Sequence, residues 1–284
     1  MMQWIAIIGS GRSPEACGRL KLLGEWLERT ISAVRSFVSE NGWCLLTTTF
    51  VGIALKRYYS HADSETLIWM LHPTATLVEW ISGVSFVHEI HVGFVNFQQG
   101  IVIAPACAGV NFLIIAFSMA AFAGIHHVQG KSLKWLWLAG SLVGAYGLTI
   151  SVNALRIVLS IYSYNLDLHR GWLTPARVHR LEGVVIYFFF LCLFYRIIHA
   201  VFSLVERAKS RAETDDSQTA FAVWTPLFWY GLITLALPLL NDALNTESDR
   251  FFEHAGVIVI GCLIVLAIVV LIPKVGNLRF RKSH

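Results

Sequence analysis

The feature that most constrains this chain is a series of apolar blocks of membrane-crossing length. A helix needs roughly 20 residues to span the hydrocarbon core. Blocks near that length fall at residues 43–59, 110–125, 133–152, 184–201, 222–240 and 255–272. Hydrophobic residues make up 56% of the chain and charged residues 14%, where a soluble domain carries about 25% charged. The pattern predicts an all-α polytopic membrane protein with about six transmembrane helices.

The flanks of these blocks set the organisation. Residues 4–8 are too short for a signal-peptide core, and Gly9, Gly11 and Pro14 keep the apolar run from continuing, so no N-terminal cleavage is expected. In residues 19–40, Leu20, Leu23, Leu27, Ile31, Val34 and Phe37 recur at helical spacing, with Arg19, Lys21, Arg29 and Arg35 around them. That helix either lies on the membrane surface or packs on the rest of the protein. The expected division is a cytoplasmic amphipathic arm at 1–42, a transmembrane domain at 43–273 and a basic cytoplasmic tail at 274–284.

Lys and Arg positions orient the bundle, because cytoplasmic loops carry their excess. The N-terminal arm (with Arg12), the 126–134 loop (Lys131, Lys134), the 203–221 loop (Arg207, Lys209, Arg211) and the tail (Lys274, Arg279, Arg281, Lys282) share one side if six spans are counted. Both termini are then cytoplasmic. Lys56, Arg57, Arg170, Arg177 and Arg180 fall on the other side and dilute the vote. The net charge of +4 is modest, and no basic run is dense enough for nucleic acid.

The stretch 66–108 forms an extracytoplasmic segment between the first and second spans. Residues 66–83 are fairly apolar, but counting them as a span would break the alternation, and His72-Pro73 and Glu79 are costly in hydrocarbon. They read as a periplasmic or re-entrant helix. Residues 84–104 alternate loosely around Gln98-Gln99-Gly100, which predicts a small hairpin.

Topology then brings three residues to the outer face. Cys107 precedes the second span. Arg156 lies just past the third, roughly 33 Å from Lys134 at about 1.5 Å per residue. His179 falls in the loop before the fourth. Each has a chemical use. A cationic neighbour favours the thiolate form of a cysteine. An imidazole can take a proton and return it to a leaving amine. A guanidinium can hold the oxyanion of a tetrahedral intermediate. Taken singly, each has a plainer reading: a buried apolar thiol, a snorkelling interfacial arginine and a solvated loop histidine. Against the first stands the setting of Cys107, the one cysteine placed outside, between Pro105 and Gly109. Cys44, Cys192 and Cys262 lie in apolar blocks. Asn153, one turn before Arg156, either orients the Arg or His or bonds between helices. Arg177 is a substitute candidate for the oxyanion role.

These residues together resemble the exosortase/archaeosortase family of membrane cysteine peptidases and transpeptidases. The resemblance covers about residues 43–200 and rests on three stretches. They are Ala104-Pro105-Ala106-Cys107-Ala108-Gly109-Val110-Asn111-Phe112, Asn153-Ala154-Leu155-Arg156-Ile157 and His179-Arg180-Leu181-Glu182-Gly183. With Leu55-Lys56-Arg57-Tyr58-Tyr59-Ser60, the first stretch is most similar to the exosortase K subgroup. Ala108 departs from the family, many of whose members carry Ser there. The resemblance implies a multi-pass protein of the bacterial inner membrane with Cys107 as nucleophile, Arg156 as oxyanion donor and His179 as general acid/base. It also implies the partners: exported proteins with a C-terminal sorting signal and transmembrane anchor, and a surface glycan or lipid acceptor. No cofactor is expected.

Two rivals differ in class. A metal-dependent protease would need ligands such as His88-Glu89-Ile90-His91 and His126-His127, but these fall on opposite sides and no third ligand is evident. A non-enzymatic transporter or scaffold would tend to show inverted repeats and polar groups at mid-membrane, and neither is apparent.

Overall fold

The computed structural model describes residues 14–164, 174–209, 218–236 and 253–268. Arg12, Arg170, Arg211 and the 274–284 tail lie outside them. The chain forms two units, residues 1–47 and 48–284, and the candidate site belongs to the second.

The protein is mostly helical. Helix α1 runs without a break through Pro14–Ser60, where the sequence suggests an amphipathic arm followed by a separate span. Among the described residues, three segments are long and apolar enough to cross a membrane: Pro105–Gly124, Lys131–Ser163 and Arg177–Val205. They contain α3 (Val110–Gly124), α4 (Lys131–Tyr164) and α5 (Pro175–Lys209). Helix α6 (Gln218–Gly231) ends in a π turn at Leu232–Ala236, and α7 (Glu253–Ile268) is a shorter apolar helix. Leu136, Val143, Ile197 and Leu204 are large apolar side chains left exposed on α4 and α5. Such an outward apolar surface suits lipid as solvent.

Helix α3 is the core of the bundle. Phe112 through Ala121 are buried without exception, as expected of a helix that is apolar all round. It packs against α4, α5 and α6. At 34 residues, α4 is about 51 Å long, well beyond the roughly 30 Å hydrocarbon core. Its last turns, from Arg156 onward, meet α5 and build one wall of the candidate site.

Residues 66–83 form a helix, as expected, but of only 15 residues: α2, Ile68–Ser82. At about 22 Å it is shorter than the three segments above. Pro73 sits inside it and has no N–H for the carbonyl of Trp69 four residues back. Tyr146 of α4 takes that place, its hydroxyl donating to the Trp69 carbonyl at 2.8 Å while the two rings stack 5.7 Å apart. The defect in α2 thus becomes its anchor on α4. At the other end Gly83, in the left-handed conformation, closes the helix with its N–H on the Glu79 carbonyl.

The expected hairpin is instead a three-stranded antiparallel meander: β1 Val87–Glu89, β2 Gly93–Asn96 and β3 Ile101–Ile103, in that order. Phe94 pairs with both His88 and Ile103. The second turn ends at Gly100, as the sequence suggests, and is braced by the Gln99 N–H on the Asn96 side chain at 2.7 Å. The first turn lacks that signature because His91, not a glycine, takes the positive φ of 65°. Gly93 permits a close approach between β2 and β3. A Cβ there would collide with the Ile103 carbonyl oxygen.

Candidate active site

Cys107 is the third residue of a 3-10 turn, Pro105–Cys107, that comes directly after β3. Pro105 opens the turn with its fixed φ. The N–H of Cys107 bonds the Ala104 carbonyl at 2.8 Å, and that of Ala108 bonds Pro105 at 3.0 Å. Gly109 then turns the chain into α3 at φ 73°. Glycine is required there twice over. The angle favours it, and a Cβ would meet Thr149 Cγ2 at 3.2 Å and Asn153 Cγ at 3.4 Å. Through that close contact the fully buried Asn153 reaches the turn and donates its side-chain amide to the Cys107 carbonyl.

The remaining groups come from facing stripes of α4 and α5. On α4, Asn153, Arg156 and Ser160 recur at helical spacing, and on α5 so do His179, Glu182, Gly183 and Tyr187. The rungs match in reverse order, as antiparallel neighbours require. Ser160 meets His179 Nδ1 at 3.1 Å and Glu182 Oε2 at 3.2 Å. The Arg156 guanidinium lies over Gly183, where a Cβ would be 3.5 Å from Nη1, and over the Tyr187 ring at 5.4 Å. Tyr187 donates its hydroxyl to Asn153 Oδ1 at 2.8 Å and stacks on Phe112 at 4.6 Å. Tyr187 therefore ties the arginine, the asparagine and the start of α3 into one packed unit.

Cys107, Arg156 and His179 line a single cavity of about 770 Å³, with Ser160, Glu182 and the β3 residue Val102 among its other walls. The volume lies in the range of ordinary small-ligand sites. Arg156 is the unusual member. No carboxylate among the described residues pairs with it, and its Nε is buried without a hydrogen-bond partner. A buried unsatisfied donor is costly, more so on a charged group. A cation held in this way beside a thiol and an imidazole suits negative charge that develops during a reaction. Cys107 is part-exposed, whereas Cys44, Cys192 and Cys262 are buried.

Other residues singled out in the sequence fall elsewhere. His179 is not in a loop but in the first turns of α5. Thr174-Pro175 starts that helix. The Arg177 N–H contacts Thr174 Oγ1 at 3.4 Å, and Pro175 is the first helical residue, a common N-terminal pair. Arg177 does not line the cavity. Its Nε bonds Glu253 at 2.9 Å, and Arg180 reaches the same carboxylate at 3.2 Å. His88 and His91 face Glu65 and Asp63 at 3.2 and 4.0 Å, while the His126 and His127 rings lie tilted against each other and His127 stacks on Phe202. Among the described residues no three His, Cys, Asp or Glu side chains gather as a metal site. Lys56 donates to Asn111 at 2.8 Å and ties the end of α1 to the start of α3. Ser160, Glu182 and Tyr187 carry no role that the sequence alone assigns. Their signal is spacing, four residues beyond Arg156 and three and eight beyond His179.

Comparison with known proteins finds no matching family model, no matching curated protein and no matching solved structure.

Proposed function

We propose that this protein is a membrane cysteine peptidase or transpeptidase of the exosortase type, which removes the C-terminal sorting signal of exported proteins. One observation carries the reading: Cys107, Arg156 and His179 line the same cavity, and Arg156 has no carboxylate partner there among the described residues. In the proposed reaction the Cys107 thiolate attacks the scissile carbonyl carbon, forming a C–S bond. Arg156 holds the resulting oxyanion. His179 delivers a proton to the leaving nitrogen as the C–N bond breaks, and the upstream part of the substrate stays on Cys107 as a thioester. A hydroxyl or amine of an acceptor, or water, then attacks the thioester. His179 takes its proton, and the thiolate is released.

In this reading α1 (from Trp43), α3, α4, α5, α6 and α7 supply six spans in the bacterial inner membrane, both termini are cytoplasmic, and the cavity opens on the extracytoplasmic side. The partners are exported proteins ending in a short motif, a transmembrane helix and a basic cluster, with a surface glycan or lipid as acceptor. The test is co-expression with membrane-anchored exported proteins of that kind. A shortened product and a thioester-linked adduct are expected with the native chain. Both should vanish in Cys107→Ala at equal expression, and unchanged processing in that variant would refute the mechanism.

A further inference from the structure

We propose that Ser160 and Glu182 are positioning residues that fix the tautomer of His179, an inference that rests on the general-base role proposed for that histidine. Ser160 Oγ lies 3.1 Å from His179 Nδ1 and 3.2 Å from Glu182 Oε2. A serine hydroxyl has one proton, and an ionised carboxylate can only accept. The Ser160 proton therefore goes to Glu182. What Ser160 has left for His179 is a lone pair, so His179 must donate from Nδ1–H. In the neutral ring this leaves Nε2 as the basic nitrogen, free for the cavity.

The arrangement extends the common logic in which a base is oriented by a third group, with a hydroxyl interposed between the carboxylate and the ring. The same Nδ1–H bond is kept when Nε2 gains a proton. Two features of the fold make the relay rigid. His179 and Glu182 are three residues apart on α5 and share a face. Ser160 projects from α4, four residues beyond Arg156 on the same stripe. The helix pairing that places Arg156 over Gly183 thus sets the relay as well.

The test reads the tautomer and the activity separately. The full-length protein, labelled with ¹⁵N-histidine and held in nanodiscs, gives ring nitrogen shifts, and His179→Gln identifies the His179 signals. At a pH where those signals report a neutral ring, the native protein is expected in the Nδ1–H form. Ser160→Ala and Glu182→Ala should move it toward Nε2–H, whereas Ser160→Thr, which keeps the hydroxyl, should not. Processing should fall roughly 10- to 100-fold in Ser160→Ala and Glu182→Ala and recover in Ser160→Thr. That loss is smaller than the about 10⁴-fold seen when a directly bonded orienting carboxylate is neutralised. An Nε2–H ring in the native protein, or an Nδ1–H ring unmoved in both alanine variants, overturns the relay. Unchanged processing in Cys107→Ala with the predicted tautomers intact overturns the peptidase reading instead and leaves the relay standing.

Discussion

Asn153 donates its side-chain amide to the main-chain carbonyl of Cys107, while its own amide oxygen accepts from Tyr187 at 2.8 Å. The asparagine is fully buried, so both partners depend on it. Asn153→Leu keeps the branched shape of the side chain, with bulkier methyl ends, and removes both bonds. It should cost about 1–3 kcal/mol of stability, seen as a lower melting temperature in detergent. Processing should drop at temperatures where the variant is still folded, because the turn that carries Cys107 loses its tether. A melting temperature equal to the native one would show that the bond holds nothing in place.

Arg156 offers a test of geometry against charge. If it stabilises an oxyanion, Arg156→Ala should slow single-turnover processing about 10²–10³-fold. Arg156→Lys keeps the charge but loses the planar fork of donors and its stacking on Tyr187. It should recover little of that loss. A lysine variant at near-native rate would mean that charge alone suffices and that the guanidinium plane over Tyr187 is incidental.

Gly109 combines two constraints that a double substitution separates. Gly109→Ala imposes the left-handed penalty of about 1–2 kcal/mol and also presses a methyl on Thr149 Cγ2. Thr149→Ser removes that methyl and keeps the hydroxyl, which donates to the Ala145 carbonyl at 2.7 Å. The double variant should regain the contact part and retain the backbone part. Thermal shifts of the four proteins give the coupling directly.

Much of this arrangement is legible from the sequence, for reasons that particular residues make clear. Cys107, Arg156 and His179 stand out because each is chemically distinctive and the expected alternation of spans assigns all three to one face. Ser160, Glu182 and Tyr187 do not, because their roles arise from the register of α4 against α5, which no local pattern encodes. Pro73 removes one hydrogen bond from the helix expected over 66–83, and the group that takes its place, Tyr146, lies 77 positions from its acceptor Trp69. The first turn of the meander is hidden because His91 adopts a conformation usually left to glycine. By contrast, the helical setting of His179 is available in Thr174-Pro175, an N-cap and a first-turn proline.

Glu253 makes the start of α5 sensitive to acid. Its hydrogen bond from Arg177, with the charges of Arg177 and Arg180, holds its carboxyl below the ordinary glutamate value. A carboxyl lowered on folding contributes its stability above the unfolded value and loses it as the pH falls through the folded value. Acidification through that window should therefore release α7 from Arg177 and Arg180. The ion pairs are part-exposed, so global melting should change little. The effect is expected locally, as faster hydrogen exchange over residues 175–182 on the acid side. Glu253→Gln should show the faster exchange already at neutral pH and no further acid step.

The sidedness of the cavity depends on the length of one segment. Pro105–Gly124 has 20 residues, 15 of them in α3, so α3 alone rises about 22 Å and needs the 105–109 turn to approach the roughly 30 Å hydrocarbon thickness. If it crosses the membrane, Cys107 sits at one face and the loop after Gly124 at the other. Phe97 in the β2–β3 turn and Gln129 before α4 are both exposed and report the two sides. In a background with all native cysteines replaced, Phe97→Cys should react with a membrane-impermeant maleimide on spheroplasts. Gln129→Cys should react only after the membrane is opened. The reverse pattern would put the cavity in the cytoplasm, where exported substrates do not present their signals. Labelling of both from outside would mean that α3 does not cross the membrane at all.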